Sequence, residues 1–238
     1  MARKPNLKWA VPSELDIPPD PLHLRVDFHE QAVVITDYEK STTVRRIVSA
    51  MDIAHALARD LTFGSGILPK NTLWWSNTAA GPLYGLYEEP KVRRLAILFQ
   101  AGKPPKRYNI PLPGLIFICR PGHAPSVFAV KRRPSKKGEV IYRAPFLNMS
   151  DSGTSCGGNN DYPTDVGGIP ESFFLSFFTS HGDIKKRSVM FPENIIRLWE
   201  WLDKSKDKTY PLADLVPQEW NRKEVCTIGD LISLERRY

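Results

Sequence analysis

The feature that most constrains the fold is a series of short apolar segments between residues 72 and 142, separated by proline and glycine clusters. The intervals between them are too short for connecting helices, so the pattern predicts antiparallel rather than helix-linked parallel strands. The predicted strands are Leu73 to Trp75, Leu83 to Tyr87, Arg94 to Gln100, Leu115 to Cys119, Val127 to Val130 and Glu139 to Tyr142. We therefore expect an α+β fold centred on an antiparallel meander sheet flanked by helices.

The region before this sheet divides into three parts. Residues 1–21 are rich in proline and predict an extended arm. Residues 22–28 and 32–36 alternate in hydropathy and predict a hairpin. Ser49 followed by Asp52 resembles a capping box, and apolar residues at helical spacing then predict a helix that ends near Gly64. The expected N-terminal extension is thus a hairpin and a helix, with His55 on the surface of that helix.

The region after the sheet begins with residues 144–169, a stretch too irregular for a core element. Long loops of this kind are commonly functional. Residues 170–179 and 192–204 predict helices that open with Pro-Glu, and the phenylalanines of the first recur at core spacing: Phe173, Phe174, Phe177 and Phe178. We expect one domain over residues 22–210 and a separate C-terminal segment over residues 211–238.

The composition favours a cytoplasmic protein. Cys119, Cys156 and Cys226 are too far apart for a zinc ligand set, and an odd count does not suit a disulfide scaffold. No signal peptide or membrane span is predicted. Part of the formal charge of +7 lies in two basic runs, residues 103–107 and 131–137, which are interpreted as solvated turns or as a docking surface for an acidic protein. Nucleic-acid binding is the less favoured reading of this charge.

Cys156 is the strongest candidate for a nucleophile. Its neighbours are small and flexible, which leaves the thiol sterically open, and backbone amides among glycines can face a developing negative charge. Asn148 precedes it by eight residues and can offer a side-chain amide to an oxyanion. The alternative is a cysteine that only fills a gap in the loop. Cys119, by contrast, is predicted to be a buried strand residue.

A cysteine hydrolase is a rival chemistry for Cys156, since a histidine is needed to deprotonate the thiol and a third group to orient it. His181 and His123 are the histidines nearest in sequence to the loop. The chain has no GxGxxG, P-loop, HExxH or GxSxG motif, so nothing in it predicts a cofactor or a metal. An acyl transferase that works on a thioester needs only an open thiol and an oxyanion donor.

The sequence Pro-Phe-Leu-Asn, with a cysteine eight residues after its Asn148, resembles the His-Pro-Asn…Cys element of ubiquitin-conjugating enzymes. The longer string from Arg143 to Asn159 is similar to family D of the prokaryotic ubiquitin-conjugating enzymes, which includes protein B of the PRTRC plasmid cassette. Trp74-Trp75 and the helix that begins with Glu171 agree with this resemblance. It spans roughly residues 22–205 and is sharpest over residues 141–181.

The resemblance implies a ubiquitin-conjugating-enzyme-like fold. It also implies that Cys156 forms a thioester with a ubiquitin-like protein delivered by a ThiF-like activating enzyme, with a JAB-type peptidase as a further partner. Asn148 matches the oxyanion or loop-bracing asparagine. The histidine of the eukaryotic motif is not kept, and Gly157-Gly158 stands where those relatives commonly have leucine. The acceptor is expected to be a lysine.

Further residues close in sequence are possible cleft or acceptor-orienting groups: Asp151, Asn160, Asp161, Tyr162 and His181. The aspartates, with Asp165, are alternatively turn-formers, and Asn159, Asn160 and Tyr162 alternatively brace the loop. His181 is alternatively a cap at a helix end. Two other classes of function stay open, a non-catalytic binding module of the same fold and a basic nucleic-acid-binding or partition accessory protein.

Overall fold

The computed structural model describes residues 23–30, 32–38, 43–54, 66–78, 81–156, 160–179, 184–220 and 224–233. The chain forms two compact units, Met1–Gly64 and Ser65–Tyr238. The extended arm predicted over residues 1–21, and the predicted helix beyond residue 54 with His55, lie outside the described residues. No helix in the described part of the chain is long and apolar enough to cross a membrane.

The first unit contains a three-stranded antiparallel sheet. Its strands are β1 (Leu24–Phe28), β2 (Val33–Asp37) and β3 (Val44–Val48), in that order. The predicted hairpin is therefore confirmed, whereas β3 was not predicted because its two central arginines mask the alternation. Helix α1 covers residues 50–54, and its start is a reciprocal cap in which the Ser49 and Asp52 side chains each accept the other's backbone N–H.

The centre of the second unit is a five-stranded antiparallel sheet. Its strands are β4 (Thr72–Thr78), β5 (Gly81–Glu88), β8 (Gly114–Cys119), β9 (Ser126–Val130) and β10 (Tyr142–Arg143), in the spatial order β10-β9-β8-β5-β4. Every neighbouring pair in it is antiparallel. The basic run at residues 131–137 is the connection between β9 and β10, as expected for a solvated turn.

The predicted strands do not form one continuous meander, because β5 pairs with β8 and skips the next hairpin. That hairpin consists of β6 (Lys91–Leu98) and β7 (Lys106–Leu112). It forms a second sheet with β11 (Phe177–Thr179), which runs parallel to β6. Strand β7 was missed, and Lys106 and Arg107 of the first basic run belong to it rather than to a turn.

Three further helices complete an α+β fold: α2 (Ile169–Leu175), α3 (Ile195–Lys204) and α4 (Ile228–Ser233). The main core packs residues of β5 to β9 against α2 and α3, with Phe117 and Trp199 fully buried. Asn194 begins α3, and its side chain accepts the Ile196 N–H. Pro170 and Glu171 stand in the first turn of α2, as their preferences predict.

The prediction of a helix over residues 170–179 is wrong in its second half. Helix α2 ends at Leu175, Ser176 leaves the helical conformation, and the next three residues form β11. The alternation of a strand buries Phe178 and leaves Phe177 53% exposed, so Phe177 is not a core residue.

The end of the chain packs on the opposite face of the five-stranded sheet. Cys226, Ile228 and Leu231 are buried there in a second cluster with Ile116 and Phe128. A two-stranded ribbon, β12 (Glu219–Trp220) and β13 (Glu224–Val225), precedes α4. Both faces of the sheet are therefore covered, which explains why β8 reads as a continuous apolar run.

Candidate functional site

Residues 148–156 form a tight hairpin that places Asn148 opposite Cys156. The Cys156 N–H donates to the Asn148 carbonyl at 2.7 Å, and the Ser150 N–H donates to the Thr154 carbonyl at 2.9 Å. Between these bonds Met149 pairs with Ser155 in an antiparallel bridge. The eight-residue spacing noted in the sequence is thus the length of one hairpin, and it brings the asparagine and the thiol-bearing residue together.

A three-residue loop closes this hairpin. The Gly153 N–H donates to the Ser150 carbonyl at 3.1 Å, and Gly153 has a φ of +82°. Such loops end in a left-handed residue, for which glycine is preferred. A Cβ at Gly153 would also lie 2.3 Å from a Phe128 ring carbon, so the position excludes side chains on two grounds.

The segment leading into the hairpin is buried, which corrects the expectation that residues 144–169 contain no core element. Phe146 and Leu147 are fully buried, and the Phe146 ring stacks on Phe178 with centroids 5.6 Å apart. The Trp199 ring N–H donates to the Pro145 carbonyl at 2.8 Å. The first arm of the hairpin is therefore fixed by the main core, although its sequence shows no strand alternation.

Asn148 braces the hairpin against β11. Its Oδ1 accepts the Thr179 N–H at 3.1 Å and the Thr179 hydroxyl at 2.9 Å. A backbone N–H can only donate, so the amide orientation is determined and Nδ2 is directed away from Thr179. Asn148 has a φ of +58°, a conformation that asparagine tolerates better than most residues. The Asn148 side chain thus braces the loop through its Oδ1 atom. Its two Nδ2 N–H donors are directed away from Thr179.

Cys156 is exposed, whereas Cys119 and Cys226 are buried. Burial, with a smaller effect of the Glu88 charge, raises the pKa of Cys119 to about 12. The prediction that Cys119 is a buried strand residue is confirmed, because it ends β8. Of the three thiols in the chain, only that of Cys156 is accessible to a protein partner.

Tyr162 lies close to Cys156, and the side chains of Asn160 and Ser155 are also near its hydroxyl. The Asn160 side-chain amide donates to the Ser172 carbonyl of α2 at 3.4 Å, which agrees with the loop-bracing alternative. Burial raises the pKa of Tyr162, and the polar side chains of Asn160 and Ser155 oppose this. Ser155 is itself anchored, since its N–H and hydroxyl both donate to the Pro125 carbonyl. Of the five predicted cleft residues, the structure therefore places Tyr162 beside Cys156 and Asn160 next to Tyr162.

The other candidate residues occupy different environments. Asp151 stands in the hairpin loop, where its carboxylate pairs with Arg143 at 2.9 Å. Asp161 is exposed, and Asp165 caps a 3₁₀ turn by accepting the Gly167 N–H, which agrees with a turn-former. His181, Asn159 and Gly157-Gly158 lie outside the described residues. His123 is on an exposed turn between β8 and β9, and its ring makes no hydrogen bond to Cys156 in the described structure.

Two residues that were not predicted from the sequence bind the backbone of the hairpin. The Arg187 guanidinium donates to the carbonyls of Met149 and Ser150, at 3.0 Å for the latter. The Gln218 side-chain amide donates to the Asp151 carbonyl at 2.7 Å. Both side chains are buried. No local pattern marks these residues, because the hairpin carbonyls that they bind are more than thirty residues away in the sequence.

The model of prokaryotic E2 family D, E2 being the usual term for a ubiquitin-conjugating enzyme, matches residues 49–218, more than half of the chain. The chain belongs to prokaryotic E2 family D. The matched range contains the whole hairpin with Asn148 and Cys156, and also Arg187 and Gln218. Membership indicates a component of a ubiquitin-like conjugation system, whose general partners are a ubiquitin-like protein and an activating enzyme. The chain has no significant match among curated proteins or solved structures.

Proposed function

We propose that the protein is a ubiquitin-conjugating-type acyl transferase of a bacterial ubiquitin-like modification system. It accepts a ubiquitin-like protein as a thioester on Cys156 and transfers it to an acceptor nucleophile, a lysine amine. The single observation that carries the proposal is the hairpin that sets an exposed cysteine opposite an asparagine whose amide N–H groups are directed away from its bracing contact. Family membership supports the same chemistry.

The first step is a thiol exchange. The Cys156 sulfur attacks the C-terminal carbonyl carbon of the modifier, which a ThiF-like activating enzyme presents as a thioester on its own cysteine. The new carbon–sulfur bond forms as the old one breaks, and the proton lost by Cys156 is taken up by the departing thiolate. An exposed thiol suits this step, because both reacting sulfurs belong to large proteins that must approach each other.

The second step transfers the acyl group. The neutral lysine amine attacks the thioester carbonyl, the carbon–nitrogen bond forms, and Cys156 leaves as a thiolate that regains a proton as the amine loses one. The carbonyl oxygen carries negative charge in the tetrahedral intermediate. Asn148 is the candidate donor for that charge, because Thr179 fixes its amide orientation before the reaction begins. Tyr162, beside the thiol, and Asn160, next to Tyr162, are the candidate groups for orienting the acceptor amine.

Observation of the adduct tests the first step. The chain is mixed with its ubiquitin-like protein, the activating enzyme and ATP, and run on a non-reducing gel. We expect a thiol-labile adduct that is absent in Cys156→Ala and becomes a thiol-resistant ester in Cys156→Ser. The matched control Cys119→Ala removes a buried thiol and should still form the adduct. No adduct with the natural chain under any condition would refute the proposal.

Asn148→Asp tests the second step. Aspartate keeps an oxygen acceptor for Thr179 and tolerates the left-handed conformation, but it loses the N–H donors. We expect thioester formation to persist while discharge to free lysine slows by about 10²–10³-fold, the effect of removing one oxyanion donor. Asn148→Gly is the companion variant, because glycine also adopts the left-handed backbone conformation but loses both the N–H donors and the oxygen that accepts from Thr179. Normal discharge in Asn148→Asp, with both steps slowed in Asn148→Gly, would mean that Asn148 only braces the hairpin.

A further inference from the structure

We infer that Arg187 and Gln218 are positioning residues, which fix the geometry of Asn148 and Cys156 by binding the backbone of the hairpin. The inference rests on the proposed function for its chemical consequence, but its structural core can be tested without any modifier. Each binds backbone carbonyls of the hairpin: Arg187 binds those of Met149 and Ser150 in its first arm, and Gln218 binds that of Asp151 in its loop.

The distribution of buried polar side chains points to this role. In the described part of the second unit, the buried polar or charged residues are Ser155, Arg187, Ser188, Asp214 and Gln218. Ser155, Arg187 and Gln218 belong to the hairpin or bind it directly. The other two, Ser188 and Asp214, fix the loop that carries Arg187. In the described part of this unit, the polar and charged residues that are buried as whole side chains therefore belong to the hairpin or support it.

Asp214 organises the loop on which Arg187 stands. Its carboxylate accepts the Ser188 hydroxyl at 2.8 Å, the Met190 N–H at 2.6 Å and the Tyr210 hydroxyl at 3.1 Å. The Val189 N–H donates to the Asp214 carbonyl as well. A carboxylate with several donors holds its partners rigidly. The loop around residue 188 therefore has little freedom, and Arg187 is presented to the hairpin in one orientation.

Burial of a guanidinium beneath a loop opposes folding, because the charge leaves water. A hydrophobic side chain would fill the same volume at a smaller desolvation penalty, but it could not hold two carbonyl groups of a loop in fixed positions. Gln218 adds a third held carbonyl, at Asp151. Three successive carbonyls, those of residues 149, 150 and 151, are thus bound by buried donors where the first arm enters the loop. These bonds fix the conformation of the hairpin and hence the strand register in which Asn148 is paired with Cys156.

Hydrogen exchange of the hairpin amides tests the inference without a modifier. Arg187→Lys keeps the charge, but its ammonium lies one bond nearer the backbone than Nη2, the arginine nitrogen that binds both carbonyls, so it does not reach both. We expect the amides of Ser150, Gly153, Thr154 and Cys156 to exchange at least about tenfold faster than in the natural chain, well below the melting temperature. Gln218→Leu is a second variant that should show the same local effect if Arg187→Lys fails to fold.

Ile110→Ala is the matched control, because it creates a cavity in β7 and carries none of the hairpin contacts. At an equal distance below its own melting temperature it should leave the exchange of residues 148–156 unchanged. Unchanged hairpin exchange in both Arg187→Lys and Gln218→Leu would overturn the inference. Faster exchange in the control as great as in the variants would overturn it too, since the hairpin would then respond to any loss of stability.

Kinetics separate this inference from the proposed function. If the natural chain forms the thioester, Arg187→Lys should slow discharge by at least about tenfold and charging by less than about threefold. Adding Arg187→Lys to Asn148→Asp should then slow discharge little further, because both changes disable the same donor. Fully additive slowing would show that Arg187 acts elsewhere. If the natural chain forms no thioester, the proposed function fails while the exchange result still decides the positioning role.

Discussion

A methyl group at position 153 has no space to occupy. Gly153→Ala would place a Cβ 2.3 Å from the buried Phe128 ring and force alanine into a φ of +82°. Overpacking costs about 1–3 kcal/mol, and the backbone conformation adds about 1–2 kcal/mol. We expect the free energy of unfolding, measured by urea denaturation, to fall by about 2–5 kcal/mol.

Gly122→Ala is the control for the backbone part of this effect. Gly122 has a φ of +75°, but an added Cβ there meets nothing within 4 Å. Its loss should be about 1–2 kcal/mol, from conformation alone. Equal losses at the two positions would mean that the Phe128 contact contributes nothing and that the ring moves aside freely.

The buried thiol of Cys119 makes stability depend on alkaline pH. Burial raises the pKa of this thiol from 9.0 to about 12, so the unfolded chain ionises near pH 9 while the folded chain keeps the proton. The folded state then binds more protons, and its stability falls as pH rises from about 9 towards 12, by up to about 1.4 kcal/mol per pH unit.

Comparison with Cys119→Ala isolates this contribution from tyrosines and lysines that titrate in the same range. Urea denaturation at several pH values from 8 to 11 should give a steeper decline for the natural chain than for the variant. Parallel declines would show that the Cys119 thiol ionises as readily in the folded protein as in the unfolded one.

At the scale of the element, two adjacent phenylalanines report whether residues 177–179 form a strand. Phe178 is buried, and Phe178→Ala should cost about 3–5 kcal/mol. Phe177 is 53% exposed, and Phe177→Ala should cost less than about 1 kcal/mol. Urea denaturation of the two variants measures the difference. Similar large losses would favour the helix that the sequence predicts, in which both rings face the core.

The sequence predicted those elements whose signals are local. The capping box at Ser49 and the apolar run of β8 are examples, as are the spacing and the openness of Cys156. The prediction from sequence was wrong where a residue or strand distant in the chain determines the conformation. Strand β11 exists because β6 offers an edge to it, and helical spacing of the same phenylalanines could not reveal that edge.

The candidate site shows the same limit. The family motif gave Asn148 and Cys156, but the hairpin between them was missed because Ser150 to Thr154 contain no apolar residue that would mark strands. An Asp-Ser-Gly sequence at the loop was the one available signal. Arg187 and Gln218 could not be predicted, because they bind backbone carbonyl groups. Every residue has such a group, so the sequence does not show which carbonyls are bound.

At the scale of the whole molecule, the described residues of both buried clusters all belong to the second unit. We therefore expect a fragment beginning at Ser65 to unfold cooperatively, with a melting temperature within about 4 °C of the full chain, which corresponds to about 1 kcal/mol. Circular dichroism against temperature measures this. A broad transition, or none, would show that Met1–Gly64 is required for the second unit to fold.

The opposite truncation, after Tyr210, should abolish the cooperative transition. It removes Asp214 and Gln218 and also the buried residues Cys226, Ile228 and Leu231, so one face of the central sheet becomes uncovered. The same thermal measurement applies. A stable protein ending at residue 210 would support the separate C-terminal segment that the sequence analysis expects.

The hairpin also constrains the number of residues between Asn148 and Cys156. Because strand pairing repeats every two residues, inserting or deleting one residue between Ser150 and Thr154 would shift one arm by a single position and bring a neighbour opposite Asn148 in place of Cys156. Length between the two residues is therefore under stronger geometric constraint than the identity of most residues within it. Relatives that keep this hairpin should vary in the residue types of the loop but keep the number of loop residues and the glycine at the position of Gly153.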